Sequence, residues 1–263
     1  MRSPCATCAS GSRNAPRDQL PGYIGPTSEA LNAIAEQAGH WIVNPQKRPS
    51  SKHVNDLERG ILAQLVTILN TKYEMYGEGW GISANLAHAI GHQDAEYQQV
   101  LGIARRGGCW DIYGDFLAGA PVLLIVSPTT NADYCGFCIP VLTEPEKRFP
   151  GAPTAYLERR PAPLLDEDGQ LVSWPNGIPE GARDRLQNYI NGREFKHCVS
   201  IPIYGTGTNC LGVLNLNSVR PLVNNNSQES MNQLRSLCGI HLETLRWLES
   251  LRLSVGAPPF LPA

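Results

Sequence analysis

The chain is predicted to fold as an α/β (α+β) protein: a central antiparallel sheet of five or six strands with helices on both faces, preceded by a helical extension. Three observations carry this reading. Two strand-like runs, His197 to Tyr204 and Cys210 to Val219, are rich in β-branched and aliphatic residues and meet at Gly205-Thr206-Gly207-Thr208-Asn209. The turn residues tolerate positive φ, so the runs form a hairpin. Neither run alternates cleanly between apolar and polar, which implies a sheet covered on both faces. The last long element is a helix: Met231, Leu234, Cys238, Leu242, Leu245 and Leu248 recur at three and four, Asn226 is placed to cap it, and Glu229 stands at the third position.

The remaining elements follow in chain order. Residues 1–27 are rich in Pro, Ser, Gly and Arg and read as a disordered tail. Residues 28–111 are expected to be a helical extension. Within it a short helix covers 28–39, with Leu31, Ile34, Ala35 and Ala38 on one face. A firmer helix over 55–76 is capped by Asn55 with Glu58 three residues on, and carries Leu57, Ile61, Leu65, Ile68 and Leu69 as its stripe. Gly77-Glu78-Gly79-Trp80 breaks it, and 83–106 is expected to be helical until Gly107-Gly108. Residues 112–252 hold the sheet. Val122 to Ser127 and Tyr134 to Leu142 pair around Thr130 to Asp133, and 143–180 is Pro-rich and suits a lid. Residues 253–263 form a tail.

Composition excludes several classes. A chain of 263 residues with 42% hydrophobic and 17% charged residues has enough apolar material to bury a core. The longest apolar run, Phe116 to Val126, is too short to cross a membrane. The N-terminus has no apolar stretch behind its positive charge, so no secretion signal is read and a cytoplasmic location is expected. A net charge of -2 leaves no electrostatic footprint for nucleic acid. Eight cysteines without a secretion signal point to reduced thiols, metal ligands or redox chemistry.

The run SIPIYGTGTNCLGVLNLNS, residues 200–218, resembles the strand pair of GAF domains, in which a "VPI"-like strand pairs with a "GVLNL"-like strand before the closing helix. The resemblance extends backwards through the first hairpin at 122–142, a short helix at 153–160, a strand at 161–165 and a pocket-side helix at 181–191, and the helix at 55–76 resembles the one that opens such a domain. It implies a sensory or regulatory protein that binds a small molecule or partner between the sheet and the lid segments and signals through helix packing. The ligand-binding residues it implies are Leu186, Tyr189 and Ile190 on the 181–191 helix, Cys198 and Ser200 on one strand face, and Gly212. No catalytic residue is assigned. The apolar face of the last helix is wider than the arc of roughly 100° that one contact surface needs. It therefore suits a homodimer or a partner signalling protein, and light scattering showing a strict monomer would count against the former.

Two chemical alternatives stay open. Cys5-Ala6-Thr7-Cys8 and Cys135-Gly136-Phe137-Cys138 have the spacing of a tetrahedral zinc site. Cys135 and Cys138, three apart on an expected strand, converge only if Gly136 forms a bulge. One enzymatic branch of the GAF family, the free methionine sulfoxide reductases, uses pocket cysteines. Cys198 lies near that region, and Gly212-Val213-Leu214-Asn215-Leu216-Asn217-Ser218 stands where that branch carries a "GVLDIDS"-like strand. His88 and His92 have the helical spacing of a metal pair, but Ala89 stands where HExxH carries its glutamate.

Overall fold

The computed structural model describes residues 32–34, 36, 40–41, 43–44, 50–77, 79–91, 110–111, 121–126, 135–205, 209–223 and 227–255. The first long helix, α1 (Ser51–Glu74), is capped by Ser50, whose hydroxyl accepts from the His53 N–H at 3.3 Å. This replaces the cap expected at Asn55, which lies inside the helix. Val54, Ile61, Leu65 and Leu69 form its buried stripe.

Next comes β1 (Ser83–Ile90), a strand where a helix was expected. Its three alanines and one leucine suit a helix locally. Pairing on both edges overrides that preference, because β1 lies in the middle of the sheet. The stretch 83–106 thus begins with a central strand. Residues 92–106, including His92, lie outside the described residues.

The sheet is completed by β2 (Trp110–Asp111), β3 (Val122–Val126), β4 (Cys135–Pro140), β5 (Ala162–Pro163), β6 (His197–Tyr204) and β7 (Cys210–Ser218), in the order β2-β4-β3-β1-β7-β6-β5. Six strands pair antiparallel, and the short β2 joins β4 in parallel. The two expected hairpins are therefore neighbours in space only through β1. Their turn residues, Thr130 to Asp133 and Thr206 to Thr208, lie outside the described residues.

Period-2 placement sorts the sheet into two faces. Val199, Ile201 and Ile203 of β6, Leu214 and Leu216 of β7, and Ala84 and Leu86 of β1 pack with α1 and with two closing helices, α4 (Gln228–Leu237) and α5 (Gly239–Val255). The single last helix that the periodicity predicts is thus two, broken at Cys238. Ser227 caps the first, accepting from the Ser230 N–H at 3.2 Å, while Asn226 lies outside the described residues. The opposite face is covered by α2 (Ala152–Glu158), α3 (Glu180–Asn191) and the intervening loops. Among the described residues no helix is long and apolar enough to cross a membrane.

Gly212 sits where strands crowd. It pairs with Ile203 on one side and His88 on the other, and a Cβ there would lie 2.9 Å from the Ala87 carbonyl oxygen. Backbone cannot yield as a side chain can. Gly212→Ala is expected to destabilise by about 1–3 kcal/mol, the usual cost of overpacking, read as a lower urea midpoint.

Candidate functional site

The structure brings three of the expected ligand residues together, but as a filled core. Leu186 and Ile190 of α3 pack with Cys198 of β6 against Ile139, Phe149, Leu165 and Leu171. Tyr189 is part of α3, and its side chain lies outside the described residues. Ser200 is nearby on the same strand face, yet it is already engaged: its Oγ donates to Asn215 Oδ1 at 2.7 Å, and Asn215 Nδ2 donates to Asn85 Oδ1 at 2.8 Å. This buried row crosses β6, β7 and β1. Gly151, at φ 73, closes over it, since a Cβ there would lie 3.2 Å from Ser200 Oγ. Gly212 does not join this group, because its register with Ile203 and His88 puts it on the helix-covered face.

The cysteines divide similarly. Burial pushes the Cys198 and Cys238 thiols up to about 12, the second against the opposing charge of Lys72. Burial also pushes Cys210 up to about 11, against opposing backbone hydrogen bonds and the Arg159 charge. A thiol held this far above neutrality is a poor nucleophile. Mass-mapped alkylation of the native protein at neutral pH is expected to leave Cys198 and Cys238 unmodified, and to label both after denaturation. Cys5 and Cys8 lie outside the described residues, as do the side chains of Cys135 and Cys138. The backbone does contain the irregularity their convergence requires: Ile125 pairs with Phe137 and Val126 with Cys135, leaving Gly136 as the extra residue.

The densest polar chemistry lies on the other face of β1, between sheet and helices. Glu58 and Asn55 project from α1, His88 from β1, and Glu249 and Arg252 from α5. The four ionisable groups are each 6% exposed or less. His88 Nδ1 lies 3.0 Å from Glu249 Oε1, and Nε2 lies 3.9 Å from Glu58 Oε2. Arg252 pairs through Nη2 with Glu58, donates to Asn55 Oδ1 at 3.0 Å, and approaches Glu249 with Nε at 3.6 Å.

Burial pushes the Glu58 carboxyl up to about 7, although Arg252 and His88 oppose it. Burial acts on Glu249 in the same sense, but His88 and Arg252 outweigh it and hold that carboxyl down to about 2. For Arg252, burial is outweighed by the two carboxylates, which raise its pKa. Donor atoms of Glu58, His88 and Glu249 lie within 4.8 Å of one another, a spacing compatible with a metal. Here the guanidinium already lies against both carboxylates and the two imidazole nitrogens face different ones, so the cluster carries its own cation.

The capping-box spacing at the start of α1 accounts for Glu58, and a helical reading sets His88 beside His92. Neither pattern indicated that both meet Glu249 and Arg252. The available signal was four charged residues at positions that otherwise continue apolar faces.

A cavity of about 450 Å³ opens at the end of the sheet next to this cluster. Ala89, Ile90 and Gly91 at the end of β1, Val122 of β3, Tyr156, Leu157 and Arg159 at the end of α2, Asn209, Cys210 and Leu211 at the start of β7, and Leu253 of α5 line it, with Pro121 and Val141 completing the wall. Arg159 is the single charged residue of that lining. It also has φ 54, the one positive φ at a non-glycine among the described residues, and its carbonyl accepts from the Tyr204 hydroxyl. The cavity lies within the range of small-molecule sites, roughly 300–1,000 Å³.

No protein-family model and no curated protein matches the chain. Solved structures similar to it include fRMsr of Staphylococcus aureus in its reduced form, with TM-score 0.34 and 13% identity over 82% of this chain and 94% of that one. Another is the free methionine-R-sulfoxide reductase of Neisseria meningitidis with its substrate, with TM-score 0.32 and 13% identity over 88% and 92%. A third, described as a GAF sensor protein of Burkholderia vietnamiensis, has TM-score 0.32 and 11% identity over 86% and 92%. Likeness at this level spans a reductase and a sensor alike and favours neither.

Proposed function

We propose that the chain is a sensory or regulatory module that takes a small molecule in the cavity at the end of β1 and passes its presence to α1 and α5. One observation carries this reading: the cavity wall is shared between the sheet and a closing helix. Ile90 lies two residues beyond His88 on β1, and Leu253 follows Arg252 on α5. A molecule seated there touches β1 and α5, two of the three elements that the buried charge cluster joins. Occupancy therefore alters the relative free energy of α5 positions against the sheet, which is all a ligand needs to shift a conformational equilibrium. The lining is mostly aliphatic, with Arg159, Tyr156 and Asn209 as polar groups, which suits a compact molecule with an apolar body.

The high thiol pKa of Cys198 lends no support to cysteine-dependent reduction at that residue. The sensory reading is tested by thermal-shift screening of a small-metabolite panel against the native protein and against Leu157→Trp, which fills the cavity from α2. At least one compound is expected to raise the melting temperature of the native protein and leave the variant unchanged. Equal shifts in both proteins, or none in either, would contradict it.

A further inference from the structure

We infer that Glu58, His88, Glu249 and Arg252 form a proton-operated latch that holds α1 and α5 against β1 while Glu58 keeps a proton, and loosens when that proton leaves. The inference rests on the cluster alone and stands whether or not the neighbouring cavity binds a ligand.

Charge balance in a closed site gives the reason. The guanidinium carries a fixed positive charge that one ionised carboxylate balances. With Glu58 protonated, Glu249 alone does so. Once Glu58 ionises, two carboxylates face one guanidinium in a place where each group is almost completely removed from water. Uncompensated buried charge is among the costliest arrangements in a fold.

The groups facing the pair come from every element packed there. Glu58 and Asn55 belong to α1, His88 to β1, and Glu249 and Arg252 to α5. Among the described residues the strand positions opposite His88, Leu124 and Gly212, add no charge. His241, also buried on α5, is pushed down from 6.5 to about 4 by burial, so opening of α5 that exposes it takes up a proton between those values and opposes the Glu58 effect on that helix. The helix that carries Glu58, α1, gives the cleaner readout.

The direction of the pH effect follows. Glu58 has its folded pKa raised from 4.5 to about 7, so its contribution to holding the helices is complete below 4.5 and is lost as pH rises to about 7. Glu249 acts in the opposite sense: lowered from 4.5 to about 2, it contributes above 4.5 and loses that contribution as pH falls toward 2. The latch is therefore tightest where Glu58 is protonated and Glu249 ionised, and it weakens toward neutrality. Linkage of one proton changes the opening equilibrium about tenfold per pH unit within that window.

Amide hydrogen exchange, corrected for intrinsic rates and followed from about pH 5 to about pH 8, reads the opening of each helix. In the native protein the opening constant of α1 is expected to rise about tenfold per unit up to about pH 7 and then level off. In Glu58→Gln, whose carboxamide cannot titrate, it is expected to stay flat. A flat profile in the native protein, or an undiminished slope in the variant, would overturn the inference. Should Glu58→Gln fail to fold, carbon NMR titration of the Glu58 carboxyl in the native protein decides: a midpoint well above 4.5 supports the latch, and a midpoint at 4.5 overturns it.

Discussion

Arg252→Met is expected to destabilise the protein by about 3–5 kcal/mol, the cost of breaking a buried ion pair by removing one partner. The thioether chain preserves much of the packing volume, so the loss isolates the guanidinium. Without it, Glu58 and Glu249 face one another inside the fold with only His88 to balance them. Protonation of Glu58 relieves part of that cost, and the loss is therefore expected to be smaller at pH 5 than at neutral pH. Urea unfolding monitored by circular dichroism at both pH values measures it. A loss under about 1 kcal/mol, the range of exposed pairs, would mean that the cluster is solvated and not sealed.

Replacing the whole cluster is expected to have the opposite sign. A variant carrying Glu58→Leu, His88→Leu, Glu249→Met and Arg252→Met removes every charge at once and leaves no carboxylate without a partner. Exchange of buried ionic sets for apolar residues of similar volume is often neutral, or stabilising by about 1–4 kcal/mol. The same measurement applies, and the loss of stability that Glu58 contributes as pH rises from about 4.5 to 7 should disappear with the charges, leaving the opposite dependence of the buried His241. The contrast between the two variants matters more than either value. A cluster that is costly to break and harmless to remove is retained for something other than stability, and control of how α1 and α5 pack is the role its position offers.

Much of the fold was legible because the determining signals are local. The 197–218 hairpin pairs aliphatic runs around a Gly-rich turn, and its strands fall at His197–Tyr204 and Cys210–Ser218. The short helices that the resemblance implies at 153–160 and 181–191 fall at Ala152–Glu158 and Glu180–Asn191. What escaped depends on partners distant in sequence. Ser83-Ala84-Asn85-Leu86-Ala87-His88-Ala89-Ile90 has a helix-compatible composition and becomes a strand only because β3 and β7 offer both edges. Reading it as a helix also paired His88 with His92, and hid its true neighbours, Glu58 some thirty residues before and Glu249 far beyond. Asn215 illustrates the same limit. Its alternation with Leu214 and Leu216 places it on the loop-covered face, but its bonds to Ser200 and Asn85 exist only once three strands are assembled. Cys198 and Ser200 were correctly placed on one face, while the space beside them is taken by Leu186, Ile190 and Gly151.

The proposed sensory role depends above all on a small molecule occupying the cavity shared by β1 and α5. Native mass spectrometry of the freshly purified protein, beside Leu157→Trp prepared in the same way, measures that occupancy. The expected result is a small-molecule adduct at one per chain on the native protein and its absence from the variant. Bare protein in both preparations, or the same adduct on both, would contradict it.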